Sequence, residues 1–312
     1  MKPVQQPVGR RAFLGAVALA PLAGCSTGGT PSASPPVSAV DGPPSSPANA
    51  AGSRRHEHLV ALERKFGARL GVFARATGTG ATIVHRADER FAFCSTFKGL
   101  AAAGVLAHNP LSHLDTVIRY TEADLMKHTP VTGRHVATGM TIRQLCDAAV
   151  RFSDGTAGNL LLRDLGGPAR LTAYARSLGD TVTRMDRTEP DITEATPGDP
   201  RDTSSPRALG GDYREIVLGD ALPPDKRAFL RDLLTRSVTG DRRIRAGVPR
   251  GWTVAGKTGT GAYGTLHDIA IAWPPKQAAP LVIAIMTSKS AEDAEGDEAL
   301  IAAAAEYVVA TL

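Results

Sequence analysis

Apolar residues recur along this chain at two periods, and the switches between them mark its parts. His56 to Phe66 carries Leu59, Leu62 and Phe66 at helical spacing, which predicts an amphipathic helix. Arg69 to Arg75 and Ala81 to His85 alternate instead, and Gly78-Thr79-Gly80 between them has turn composition, so a hairpin follows. From Ser95 the pattern is helical for a long stretch. Gly99 to Ala107 is apolar and mostly small, as in a buried helix with Ser95 at its first turn. Thr141-Ile142-Arg143-Gln144 has the form of a capping box and starts a helix through Phe152. Ser153-Asp154-Gly155 interrupts it. Thr156 to Leu165 resumes as a helix that stops at Gly166-Gly167-Pro168, and another runs to Leu178.

Residues 180 to 206 show little periodicity and much Pro, Gly, Thr and Asp. A long irregular segment inside a compact domain usually carries function. After a helix around Lys226 to Leu234, period two returns: Trp252 to Thr260, Leu266 to Trp273 and Leu281 to Thr287 read as strands, with Gly261-Ala262-Tyr263-Gly264 as a turn. Glu298 to Leu312 closes as an apolar helix. Strands towards both ends with helices between them predict one sheet assembled from the two ends plus a helical insert, an α/β + all-α architecture.

The first residues read as an export signal rather than as fold. Arg10-Arg11 precedes an apolar run from Leu14 to Leu22 that is too short to span a bilayer. Paired arginines in that place point to twin-arginine export, with an ordinary signal's positive region as the alternative. Leu22-Ala23-Gly24-Cys25 looks like a lipoprotein lipobox, which makes Cys25 the lipidated start of the mature chain after a signal peptide over 1–24. Residues 25–52, rich in Ser, Thr, Gly, Pro and Ala, read as a flexible tether. The protein is thus expected on the outer face of the cytoplasmic membrane, in the cell envelope. A formal charge of +5 comes from basic residues scattered among acids, with no aromatic-interleaved basic run, and argues against a nucleic-acid partner. His56-Glu57-His58 lacks a third ligand at suitable spacing, so no metal is expected there.

Chemistry enters with Ser95-Thr96-Phe97-Lys98. A serine and a lysine at this spacing lie on one helix face, where the lysine can help take the hydroxyl proton. Alone the pattern is common on solvated helices. Here Ser153-Asp154-Gly155, then Glu189 within Arg187-Thr188-Glu189-Pro190-Asp191-Ile192-Thr193, then Lys257-Thr258-Gly259 follow in order. The set resembles the class A serine β-lactamases, whose signature pairs Ser-x-x-Lys with Ser-Asp-Asn and Lys-Thr-Gly, and the likeness runs from about Ser53 to the end.

That resemblance implies a β-lactamase/transpeptidase-like fold: a five-stranded antiparallel sheet flanked by helices (53–86 and 235–312), and a helical part (87–234). It implies hydrolysis of the β-lactam amide through an ester on Ser95, resistance to penicillin- and cephalosporin-type antibiotics, no cofactor, and action as a monomer. Lys98 or Glu189 would serve as acylation base, and the backbone amides of Ser95 and Thr260 as the oxyanion hole. Ser153 would pass a proton to the leaving nitrogen. Lys257, Thr258 and Gly259 would line the substrate, the lysine attracting its carboxylate and the glycine letting the substrate lie close. Glu189 would activate water for deacylation, on a loop whose neck is tied by Arg187 and Asp202. Pro190 suits the cis peptide that relatives have after this glutamate.

Several positions depart from the family pattern. Gly155 replaces the usual asparagine, as in mycobacterial members, removing an amide donor and widening the site. Thr193 replaces an asparagine that helps to hold the deacylating water, so slower deacylation is expected. An arginine common on the strand after Lys-Thr-Gly is Leu266 here, and Arg243 matches the alternative arginine of actinobacterial and carbapenem-hydrolysing members. His128 stands where relatives often have a pocket aromatic. Of the three cysteines, Cys146 matches half of a family disulfide whose other half falls at Ala102, so Cys94 and Cys146 are expected as small buried apolar residues. Two other readings share the motifs: a penicillin-binding transpeptidase or carboxypeptidase, disfavoured by Glu189, and a β-lactam sensor or decoy that acylates and stops.

Overall fold

The alternating runs from the two ends of the chain meet in one sheet. The computed structural model describes residues 47–276 and 278–312. The export signal, Cys25 and the tether as far as residue 46 lie outside the described residues. In chain order the elements are α1 (Pro47–Phe66), β1 (Arg69–Ala76), β2 (Thr82–His85), β3 (Phe91–Ala92), α2 (Phe97–His108), β4 (Val117–Ile118), β5 (Met140–Thr141), α3 (Ile142–Arg151), α4 (Gly155–Leu165) and α5 (Pro168–Ser177). There follow β6 (Thr203–Ser204), α6 (Pro206–Val217), α7 (Pro224–Thr235), α8 (Ile244–Gly247), β7 (Thr253–Gly261), β8 (Thr265–Trp273), β9 (Leu281–Ser288) and α9 (Glu298–Thr311). The five long strands pair antiparallel in the order β2-β1-β9-β8-β7, which leaves β7 as an edge.

Both faces of this sheet are covered, so its central strand is apolar throughout rather than alternating. Along β9, Val282, Ala284 and Met286 belong to the core shared with the helical insert, while Leu281, Ile283 and Ile285 belong to the core under α1 and α9. Alternate side chains of a strand point to opposite faces, and here each face is dry.

The capping box at Thr141 is formed in full, with Gln144 amide to Thr141 Oγ1 at 3.2 Å and Gln144 Oε1 accepting from the Thr141 amide at 2.8 Å. The structure departs from the sequence reading in three places. The stretch after α2 is not helical. Short 3-10 turns and the β4–β5 pair carry the chain from Leu111 to Thr141. Helix α1 begins at Pro47, inside the 25–52 stretch expected as a tether, because Ala48, Ala50 and Ala51 are strong helix formers. Helix α6 escaped the pattern, since Gly210-Gly211 sits mid-helix where glycine is disfavoured. Gly210 is nonetheless required: a Cβ there would lie 2.7 Å from the Phe73 ring on the sheet. So α6, counted by its number in the helical insert, packs on the sheet, and its buried Tyr213 donates to the Thr96 carbonyl at 2.7 Å.

Candidate active site

Four separate stretches converge on Ser95. A 3-10 turn, Cys94–Thr96, rather than the α-helix proper, carries the hydroxyl, and α2 continues from it. Cys94 takes a left-handed φ of 47°, which turns the chain sharply just before the nucleophile. One helical turn on, Lys98 is wholly buried, with Nζ 3.0 Å from Ser95 Oγ and 2.6 Å from the Ser153 carbonyl. Burial pushes the Lys98 ammonium below the usual lysine range, and the nearby Glu189 carboxylate works against that shift.

Glu189 reaches in from the irregular segment. Its Oε1 accepts from Ser95 Oγ at 3.1 Å and lies 2.7 Å from Lys98 Nζ. The Glu189–Pro190 peptide is cis. Two ties hold this segment. At its neck, Arg187 Nε donates to buried Asp202 at 2.6 Å, and Asp202 also accepts from the amides of Asp186 and Arg187. Within it, Asn159 on α4 grips Glu189 itself: Nδ2 donates to the Glu189 carbonyl at 2.9 Å and Oδ1 accepts from its amide at 3.0 Å. Sequence reading missed Asn159, since an asparagine inside an apolar helix resembles any other until its partner, thirty residues on, is known.

Ser153 sits in the break between α3 and α4 at φ 57°. The adjacent Asp154 is both helix cap and strut. It accepts from the Ala157 amide at 2.9 Å, from the amides of Val131 and Thr132 at 3.0 and 2.9 Å, and from Thr132 Oγ1. The Ser153 hydroxyl accepts from Lys257 Nζ at 2.9 Å. Lys257 is buried on the edge strand β7, and burial, then Lys98 and Arg243, pushes it well below the usual lysine range. It also donates to the Thr258 carbonyl, which therefore points away from β8 to the open edge. Peptide groups two residues apart on a strand face the same side, so the Thr260 amide shares that edge with the Ser95 turn. The Thr258 hydroxyl is held by Thr239 Oγ1 at 2.7 Å.

The remaining expected residues divide. Gly259 has a packing reason to be bare: a Cβ there would meet the Phe93 carbonyl at 2.8 Å, so the glycine lets β7 close against the Ser95 turn. At Gly155 the space expected to widen the site is taken up, because a Cβ would run into Glu189 Oε2. The Thr193 hydroxyl is turned to backbone, donating to the Pro190 carbonyl at 2.6 Å. Arg243 is buried behind the strand, with Nη1 bridging the carbonyls of Gly259 and His267 at 2.9 and 2.8 Å and Nη2 on Thr260 Oγ1 at 3.1 Å. Leu266 is buried in the core. His128 is exposed and anchored to the Phe152 carbonyl at 3.2 Å. With Met126 it lines a cleft of about 700 Å³ whose other walls are Glu189 to Asp191, Thr193, Glu194 and Thr260 to Ala262. Cys94 and Cys146 are buried thiols without a disulfide, and burial raises each to about 12.

A hydroxyl flanked by a buried lysine and a carboxylate, beside an open strand edge, is an arrangement suited to acyl transfer through a serine. The chain belongs to the β-lactamase enzyme family, whose model matches residues 54–312. A β-lactamase of Mycobacterium tuberculosis is 54% identical over 275 residues, covering 86% of this chain and 89% of that protein. One from Amycolatopsis lactamdurans is 52% identical over 282 residues, 90% of this chain and 88% of the relative. Among solved structures, a class A β-lactamase from Clostridium kluyveri superposes with a TM-score of 0.81 at 42% identity, over 83% of this chain and 98% of the other. A β-lactamase from Streptosporangium roseum gives the same TM-score at 45% identity, over 83% and 100%.

Proposed function

We propose that this protein hydrolyses the amide of β-lactam antibiotics through an ester on Ser95 and so confers resistance to them. The observation that carries the reading is the Glu189 carboxylate, 3.1 Å from Ser95 Oγ and held by its backbone from Asn159. A transpeptidase needs the ester to survive until an amine arrives. A hydrolase needs a base beside it, and Glu189 is in reach of that role.

In this reading Ser95 Oγ attacks the lactam carbonyl as its proton passes to Lys98 or Glu189. The Ser95 hydroxyl donates to Glu189 Oε1 at 3.1 Å and accepts from Lys98 Nζ at 3.0 Å, so both groups are in reach of that proton. The oxyanion is met by the amides of Ser95 and Thr260, donors that in comparable enzymes are worth about 3 kcal/mol each. The lactam nitrogen then takes a proton from Ser153, whose hydroxyl is held by Lys257 at 2.9 Å and regains the proton that left Ser95, so that Lys98, Glu189 and Lys257 all return to their starting states. The substrate carboxylate binds beside Thr258, Thr260 and Lys257, with Arg243 supporting the Thr260 hydroxyl. Water deprotonated by Glu189 finally attacks the ester carbonyl, and Ser95 leaves with a proton.

Mixing with a chromogenic cephalosporin tests this. Wild type is expected to turn over continuously, and Glu189→Ala to give one equivalent of product and a stable adduct by intact mass. A single equivalent from both proteins would make it a sensor or decoy instead. On the strength of Arg10-Arg11 and the Leu22-Ala23-Gly24-Cys25 stretch, we also propose twin-arginine export and lipid anchoring through Cys25 at the outer face of the cytoplasmic membrane.

A further inference from the structure

Behind the Ser95 turn lies a histidine whose ring bonds to none of the catalytic side chains, yet joins the parts that carry them. His267 is fully buried on β8, directly across from Gly259 in the register of β7 and β8. Its ring has two partners of opposite kind. Nδ1 accepts from the Thr287 amide on β9 at 3.2 Å, so the proton belongs on Nε2, which donates to the Ala92 carbonyl at 2.5 Å. The ring is neutral in this arrangement, and its burial, with the guanidinium groups of Arg243 and Arg69 near by, pushes its pKa down to about 4.

Ala92 ends β3, and only Phe93 and Cys94 separate it from the nucleophile. The next carbonyl along, Phe93, is the one against which Gly259 packs. On its backbone side, the His267 carbonyl shares Arg243 Nη1 with the Gly259 carbonyl, while Arg243 Nη2 holds the Thr260 hydroxyl. One residue thereby fixes the chain just before Ser95 through its ring, and the chain just before Thr260 through its carbonyl.

We propose that His267 is a positioning residue for the reaction on Ser95: it sets the spacing between the two backbone amides, of Ser95 and Thr260, that face the developing oxyanion. The inference rests on the acyl-transfer reading above. Preorganised donors lose most of their value when displaced by a fraction of an ångström to an ångström, so the effect falls on acylation rather than on ground-state binding. Which ring nitrogen matters more also follows. Glutamine can bring an amide N–H to the place of Nε2 and keep the Ala92 bond, whereas asparagine is one methylene too short for it.

The test uses the full chain and a chromogenic cephalosporin, with acylation followed by stopped flow and normalised to folded protein by circular dichroism. Substrate affinity is measured separately in a Ser95→Ala background. His267→Asn and His267→Ala are expected to slow acylation about tenfold or more while affinity changes less than about twofold, and His267→Gln to restore acylation to within about threefold of wild type. Equal acylation by all four proteins overturns the proposal, as does a loss in Gln as large as in Asn, or a loss carried entirely by affinity. If the alanine variant does not fold, the comparison of Gln with Asn still decides. Should wild type itself form no acyl-enzyme, the functional reading fails first and this proposal with it, an outcome distinct from wild-type acylation that His267 leaves unmoved.

Discussion

Thr193 shows how one side chain can alter a rate without altering a fold. Its hydroxyl proton is committed to the Pro190 carbonyl, so it can offer a water beside Glu189 only a lone pair. An asparagine amide at the same position reaches farther and carries donors of its own. One added hydrogen bond is worth about 1 kcal/mol, or roughly fivefold in rate. Thr193→Asn is therefore expected to deacylate about fivefold faster, read from the decay of the acyl-enzyme by mass spectrometry, with acylation little changed. Glycine matters by what it leaves out at 155 and 259, where the missing Cβ makes room for Glu189 and for the Phe93 carbonyl.

At the scale of elements, the segment bearing Glu189 is held from more than one side. Its entry is fastened to α6 by a pair of acids. Asp180 accepts from the amides of Val182 and Thr183 at 2.6 and 3.0 Å, and it faces the buried Asp212 of α6. Burial, and then the Asp180 charge, pushes Asp212 well above the usual carboxylate range. An acid whose pKa is higher folded than unfolded binds more protons in the folded state. Stability from this group therefore falls as pH rises from about 3.9, the unfolded value, towards the raised folded one. Asp212→Asn removes that slope and keeps an N–H for Asp180. Urea unfolding is expected to give the variant no advantage near pH 4 and an advantage over wild type that grows as pH rises towards 8. A difference independent of pH would mean that Asp212 is not held protonated. The helices of the insert follow the same logic of local fit, since Thr141 and Asp154 each cap the start of one and the latter also braces the turn at Val131 and Thr132.

For the whole molecule, two cores on opposite faces of one sheet back the edge strand β7, which lies against the Ser95 turn, and the cleft opens at the end of that strand between Thr260 and the Glu189 segment. A second cavity of about 530 Å³, lined by Arg90, Phe91 and Pro197 among others, shares no residue with the cleft and holds none of the motif residues. None of the described helices is long and apolar enough to cross a membrane. Membrane association as proposed is through the lipid at Cys25. Cys25→Ser is expected to move the protein from the membrane to the soluble fraction of the cell envelope, followed by cephalosporin turnover in each fraction. Retention of the variant on the membrane would sink the anchor.

What the sequence determined by itself was whatever is encoded locally or in strict order along the chain. Helical and strand periods placed α1, the hairpin and the last three strands, a four-residue pattern fixed the cap at Thr141, and the order of Ser95, Lys98, Ser153, Glu189 and Lys257 gave the family. Only the tertiary structure decided what depends on a partner distant in sequence. It hid α6 behind Gly210-Gly211, the first of which is needed because Phe73 lies opposite, and paired Asn159 with Glu189 across an irregular segment. It also gave His267 a carbonyl to hold 175 residues away. Hydrogen bonds and steric fit act over a few ångströms of space, and a chain carries no local mark of which residue that space will bring.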